Sequence, residues 1–307
     1  MSLRKPAHAS PPKRDGARSA RQPGRRPDGD ALLFLTHTNK PRVLHHFDRL
    51  KAETAGLLDC FLCVDTEALG LSYSDFPPNL PVRRTDAETL MPHRHRHMAA
   101  NEDGGYFNFI DLLFIPVAAQ LARIGYRRIW VVEYDVDFAG PWSDFFSKLL
   151  NSKADLLATT LRRRSSSSAW TYWKRFGCPP TVRPEHQHRS FLPILRLSAR
   201  MLEAYLEALQ DEAWRGHYEA LLPTIALHNG LVVEDIGGSG DHAPPSRRGR
   251  YYANTADDRF LGPGTLIYRP AVSQSYFGEE PSRFRHAGML YHPVKVAEEP
   301  PAAVVLR

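Results

Sequence analysis

The residues best equipped for chemistry lie close together at 133–137, where the run Trp130-Val131-Val132 ends in Glu133-Tyr134-Asp135-Val136-Asp137. In an extended chain, carboxylates two residues apart share one side. Three like charges so close repel unless a cation or a shared proton lies between them. Oxygen ligands of this kind suit Mg²⁺ or Mn²⁺, which take few carboxylates and are usually shared with substrate phosphates. The alternative is a solvated strand end whose acids cap the next helix. Further candidates are scattered along the chain. Thr36, His37 and Thr38 follow the apolar run Ala31 to Leu35, and Glu219 stands in Trp214–Thr224 as a general base or as a plain surface glutamate. His292 could complete a metal shell and Lys295 could neutralise a diphosphate, although each alone is more often an ordinary surface residue.

Other reactive residue types read as structural. Cys60 and Cys63 have zinc-like spacing but no second pair, and they sit inside an apolar run, so they are expected in the core. The run Pro92-His93-Arg94-His95-Arg96-His97 could hold phosphate or a metal, but a solvated loop is the favoured reading. Trp170, Tyr172, Trp173 and Phe176 could stack on sugar rings or bases, or simply pack.

The acids can work only if strands and helices hold them. Ile129-Trp130-Val131-Val132 reads as a buried strand of a parallel sheet, which puts the acids at its carboxyl end, where open α/β sheets bind ligands. Before it, a strand over 31–35, a helix from Pro41 to about Ala55 and a strand over 57–64 ending in Asp65-Thr66-Glu67 make a β-α-β unit. An irregular stretch over 68–108 and a helix over 108–125 follow. After the acids come a helix over 141–151, a strand over 154–161, a loop over 162–168, a strand over 191–197 and a helix over 198–209 capped by Ser198. A short helix ending near Pro223, a strand over 231–234 and a flexible turn at Gly237-Gly238-Ser239-Gly240 complete the reading.

Composition excludes several classes. Of the net charge of +6, residues 1–30 supply +5, so the fold itself is near neutral and a nucleic-acid partner is disfavoured. The leader lacks the apolar centre of a signal peptide. No apolar run reaches spanning length, and three cysteines make no disulfide framework. No strand leads into a spaced glycine fingerprint, which argues against dinucleotide and P-loop sites. The expected compartment is cytoplasmic, with the tail free to touch the anionic inner face of a membrane.

In the order Phe34-Leu35-Thr36-His37-Thr38, Trp130-Val131-Val132-Glu133-Tyr134-Asp135, Phe191-Leu192-Pro193, Glu219 with Leu222-Pro223-Thr224, and His292-Pro293-Val294-Lys295, the chain resembles nucleotide-sugar-dependent glycosyltransferases of the GT-A fold. The likeness is nearest to an uncharacterised family of predicted transferases with a Glu-Tyr-Asp strand end. It implies a single GT-A-like, Rossmann-like α/β/α sandwich with a mostly parallel sheet over 30–296, between a disordered basic tail (1–29) and a frayed one (297–307). It implies sugar transfer from a nucleotide-diphosphate donor to a hydroxyl of a carbohydrate or glycan acceptor. Mn²⁺ or Mg²⁺ would be held by Asp135 with Glu133 or Asp137, joined by His292. Thr36, His37, Thr38, Glu133 and Lys295 would face the nucleotide-sugar, and Glu219 would be the base of an inverting reaction. The same acids would also serve a metal-dependent phosphohydrolase or nucleotidyltransferase, or persist in a non-catalytic carbohydrate-binding protein.

Overall fold

Alternation along two adjacent strands organises the molecule. Ala31, Leu33 and Leu35, with Ile129 and Val131, enter one apolar core, while Leu32, Phe34, Trp130 and Val132 enter a second core on the opposite face. Both faces of the sheet are therefore covered, as a largely parallel sheet requires. The structure, a computed structural model, describes residues 29–65, 79–81, 84–100, 106–253, 264–267, 277–278 and 281–295. The tails expected over 1–29 and 297–307, Gly29 apart, lie outside the described residues, as do Thr66 and Glu67.

The described strands are β1 (Asp30–Thr36), β2 (Leu58–Val64), β3 (Asn79–Pro81), β4 (Arg128–Glu133), β5 (Asp137–Phe138), β6 (Leu156–Arg163), β7 (His188–Ser198), β8 (Val233–Asp235) and β9 (Leu290–Tyr291). The helices are α1 (Pro41–Glu53), α2 (Arg84–Leu90), α3 (Pro92–Ala99), α4 (Asp111–Arg123), α5 (Trp142–Leu149), α6 (Ala199–Ala208) and α7 (Tyr218–His228). A seven-stranded sheet has the order β3-β2-β1-β4-β7-β6-β8, and β5 and β9 form a separate ribbon. Every pairing in the main sheet is parallel except those of β7, which runs against both β4 and β6. This is the expected α/β architecture with a mostly parallel sheet. The strand ladders, and with them the turn of β7, are fixed by pairings too distant in sequence to be read from local pattern.

Local chemistry explains two of the helix starts. Pro41 opens α1 with its φ already helical. Ser198 caps α6 as expected, its Oγ accepting from the Met201 N–H at 3.1 Å. Helix α4 is buried almost all round because it lies between the sheet and α2 and α6. Truncating a residue such as the fully buried Leu33 to Ala would cost about 2–5 kcal/mol.

Three expectations change. The stretch around 92–97 is a helix, not a solvated loop: Pro92 sits in its first turn and Arg94 is buried, 2% exposed. The short helix near Glu219 begins at Tyr218, and Pro223 lies inside it, not at its end. Pro223 has no N–H for the Glu219 carbonyl, which instead accepts from Ser190 Oγ at 3.0 Å. The turn at Gly237-Gly238 is fixed, not flexible, because Asp235 Oδ1 accepts from both glycine N–H groups at 2.8 and 2.7 Å. Cys60 and Cys63 are buried as expected, and burial pushes the Cys60 thiol up to about 11 and Cys63 higher still, away from the thiolate a metal needs.

Candidate active site

Strand β4 stops at Glu133 because the chain turns there. The Tyr134 N–H still reaches the Leu35 carbonyl of β1 at 3.0 Å, but the Val136 N–H closes back on the Glu133 carbonyl at 3.0 Å. The extended conformation that would align three acids is lost, and this corrects the expectation for Asp137. Its carboxylate turns toward α1, where Oδ1 accepts from Arg49 Nη2 and from the Phe138 N–H and lies 3.6 Å from His46 Nε2. Glu133 and Asp135 remain together.

The third member comes from the far end of the chain. Strand β9 pairs antiparallel with β5, Tyr291 opposite Asp137, and the Val294 N–H docks on the Asp135 carbonyl at 2.7 Å. This places His292 Nε2 3.5 Å from Asp135 Oδ1 and 3.7 Å from Glu133 Oε2. One ligand atom from each residue lies within 4.8 Å of the other two, the one such group among the described residues. His292 Nδ1 donates to the Ile267 carbonyl at 3.2 Å, so the neutral ring aims the Nε2 lone pair at two carboxylates. Lone pairs facing lone pairs need a cation or a proton between them, and a backbone carbonyl on the other ring nitrogen is the usual support of a metal-ligating histidine. Two carboxylates and an imidazole so arranged could hold a metal ion.

The titration of the group carries the same message. Glu133 is held well above the usual carboxylate range by desolvation, then by the charges of Asp135 and Glu219. His292 is pushed below its ordinary value by burial, against the opposing pull of Asp135, and the nearby Lys295 ammonium lowers it further. A proton on Glu133 is what a divalent cation would displace.

Glu219 is buried, 4% exposed, and not a surface glutamate. Its place follows from a break in the sheet. Between Leu157 and Thr159 β6 advances two residues, while β7 runs from Arg196 back to Phe191. Pro193 falls in this bulge, where a central strand can spare a ladder donor. The bulge turns the Leu192 N–H onto Glu219 Oε1 at 3.1 Å. On the other side, His217 caps α7 by accepting from the Glu219 N–H at 3.2 Å, and burial depresses His217 to about 3, so it stays neutral. Gly216, just before it, has φ +110°, and a Cβ there would sit 2.9 Å from Phe176 Cα, so only glycine fits.

Sequence reasoning missed the residue that ties this corner down. Arg94 of α3 forms a two-pronged pair with Asp111 and donates to the Gly216 carbonyl at 2.8 Å and the Asn108 carbonyl at 2.6 Å. Tyr205 completes the knot through its hydroxyl to Asp111 at 2.7 Å. Nothing in the alternating His-Arg run separates Arg94 from its neighbours except that it alone is buried.

The remaining candidates lie at the same edge. Thr36 is buried and its Oγ1 accepts from the Thr38 N–H at 3.0 Å, closing a turn over which His37 meets the Tyr134 ring edge-on at 5.0 Å. Lys295 is exposed, three residues beyond His292. Trp170 and Trp173 are buried and pack, which leaves Tyr172, against His217 at 4.5 Å, and Phe176, against Trp173 at 5.2 Å, as the partly exposed rings of that cluster. A cavity of about 600 Å³ lined by Asp48, Lys51, Asp59 and Tyr126 opens at the amino end of β2. That is the opposite edge from the acids, and it is the wrong end of an α/β sheet for the substrate.

No family model matches the chain, and no curated protein does. Among solved structures, mouse xyloside xylosyltransferase 1 in its apo form is similar over 69% of this chain and 86% of that one, at 10% identity and a TM-score of 0.37. At that depth neither substrate nor mechanism transfers.

Proposed function

We propose that the protein is a glycosyltransferase that moves a sugar from a nucleotide-diphosphate donor to a hydroxyl acceptor. The observation that carries this reading is the convergence of Glu133, Asp135 and His292 at the carboxyl end of a central parallel strand. The ordered motifs shared with GT-A transferases favour a sugar donor over the hydrolase and nucleotidyltransferase readings.

In this reading Glu133, Asp135 and His292 hold Mn²⁺ or Mg²⁺. When bound, the ion supplies a Lewis acid that stabilises the charge developing on the leaving diphosphate. The turn over Thr36, His37 and Thr38 faces the nucleotide. The exposed Lys295 ammonium adds a mobile cation beside the phosphates, which strengthens binding and stabilises the leaving group. Glu219 stands on the acceptor side, one oxygen fixed by the Leu192 N–H, close enough to Glu133 to feel its charge. In an inverting reaction it takes the acceptor hydroxyl proton. In a retaining one it serves as a fixed charge.

The test is a donor screen with product detection. Asp135→Asn should abolish transfer, and Glu219→Gln should lower kcat by about 10²–10⁴-fold with little change in donor KM. Release of phosphate or nucleotide that no acceptor redirects would support the hydrolase. Unchanged transfer by Glu219→Gln would remove that residue from the chemistry.

A further inference from the structure

Outside the acid cluster, two histidines face each other in an arrangement the transferase reading does not use. His188 opens β7 and is 2% exposed, while His242, beyond the fixed turn after β8, is partly exposed. Their Nε2 atoms are 3.1 Å apart, with the rings nearly perpendicular at 82°. His188 Nδ1 donates to the His186 carbonyl at 3.1 Å, so in the neutral ring Nε2 carries a bare lone pair aimed at His242.

Both backbones are pinned. Thr224 Oγ1 accepts from the His188 N–H at 3.1 Å and donates to its carbonyl at 3.0 Å, and the His242 carbonyl accepts from the Asp235 N–H at 2.9 Å. Two imidazole nitrogens each about 2.0–2.1 Å from one ion span about 3.1 Å at a ligand angle near 100°. The observed spacing therefore fits a shared ion once the rings rotate to face it. The carbonyl on His188 Nδ1 is the outer support that metal-bound histidines usually have.

We propose that His188 and His242 form a second metal site, selective for Zn²⁺ and other nitrogen-seeking divalent cations, distinct from the oxygen-rich site at Glu133, Asp135 and His292. Imidazole ligands favour Zn²⁺, Ni²⁺ and Cu²⁺ over Mg²⁺, whereas two carboxylates lean the other way. The surrounding charge suits a dication: Asp235 and Asp241 both act on His242, against the Arg163 guanidinium that acts on both rings. Burial lowers both histidines below their ordinary value, so both are neutral and ligand-ready at pH 7. On binding, the His242 proton moves from Nε2 to Nδ1 and none is released from the pair. Water completes the shell on the open His242 side. The ion would staple the segment after β8 to the start of β7.

The inference stands independently of the transferase reading. The experiment is a Zn²⁺ titration of chelator-stripped, full-length protein carrying Asp135→Asn, which disables the acid site, with and without His242→Ala. One equivalent of Zn²⁺ should bind the Asp135→Asn protein, and His242→Ala should weaken it at least about tenfold. His242→Gln, which can still donate to His188, provides a second variant with less disturbance and should lose Zn²⁺ equally. Co²⁺ substitution should give an absorption band that disappears in the same variants. Loss of all Zn²⁺ binding on Asp135→Asn alone, or equal affinity with and without His242, would overturn the site.

Discussion

Asp137 and Asp135 are two residues apart and chemically alike, so exchanging each for asparagine separates a structural acid from a metal ligand. Asp137 has a side chain 5% exposed that accepts from Arg49, itself 27% exposed and also 3.7 Å from Glu53. Asparagine keeps an oxygen for the Phe138 N–H but loses the charge. A fully buried pair would cost about 3–5 kcal/mol to break, yet Arg49 can regain water and Glu53, which reduces the cost of Asp137→Asn to about 1–2 kcal/mol. For a domain of this size that lowers Tm by about 2–8 °C. Mn²⁺ affinity should stay within about twofold, since the site is separate. Asp135→Asn should do the reverse, with a small change in Tm and at least about a tenfold loss of Mn²⁺ affinity. Thermal melts and Mn²⁺ titrations of the two proteins decide the matter. If Asp137→Asn weakened Mn²⁺ as much as Asp135→Asn while leaving Tm alone, the assignment of the acids would be wrong.

Further outcomes follow from the same geometry. Because Glu133 holds its proton above the usual carboxylate range, Mn²⁺ binding below that raised value should expel a proton, and affinity should climb with pH; calorimetry in buffers of different ionisation heat would find no proton release if Glu133 were already ionised. Its raised pKa also means that the metal-free fold loses stability as pH rises from the ordinary carboxylate range, and Mn²⁺ should cancel that loss. His217, depressed to about 3, and His188, depressed to about 4, refuse protons that the unfolded chain accepts below about 6.5. Each should therefore remove about 1.4 kcal/mol of stability per pH unit as pH falls below that value; His217→Asn, which keeps a helix cap, should shed one such slope in urea melts across pH, and an unchanged slope would contradict it. Ser190→Ala should cost about 1–3 kcal/mol by stranding the Glu219 carbonyl, and adding Pro223→Ala should recover part of it by restoring the helical N–H; additive losses in the pair would argue against that exchange.

The strands were legible because their chemistry is local. The apolar runs of β1 and β4, with polar residues at their carboxyl ends, suffice to place a ligand edge, and Pro41 and Ser198 mark two helix starts. The sequence names Asp135, Glu133 and His292 as candidates that the fold then brings together, but the choice between Glu133 and Asp137 turns on a hydrogen bond from Val136 to Glu133 that no alternation pattern shows. Arg94 and the burial of Glu219 were not legible for a similar reason. Each depends on contacts across more than 15 residues, to Asp111 and Gly216 in one case and to Leu192 in the other. The His188–His242 pair spans 54 residues and has no spacing motif to announce it.

In the proposed transferase, Glu133, Asp135 and His292 hold a cation that binds a nucleotide diphosphate. The most direct measurement is thermal stability across a panel of nucleotide-sugars and nucleoside diphosphates, with and without Mn²⁺, for the parent and Asp135→Asn. A ligand at a hundred times its Kd stabilises the fold by about 2.7 kcal/mol. One nucleotide should raise Tm only when Mn²⁺ is present, and Asp135→Asn should abolish the rise. A rise that persists in Asp135→Asn, or no rise with any nucleotide, would contradict that assignment.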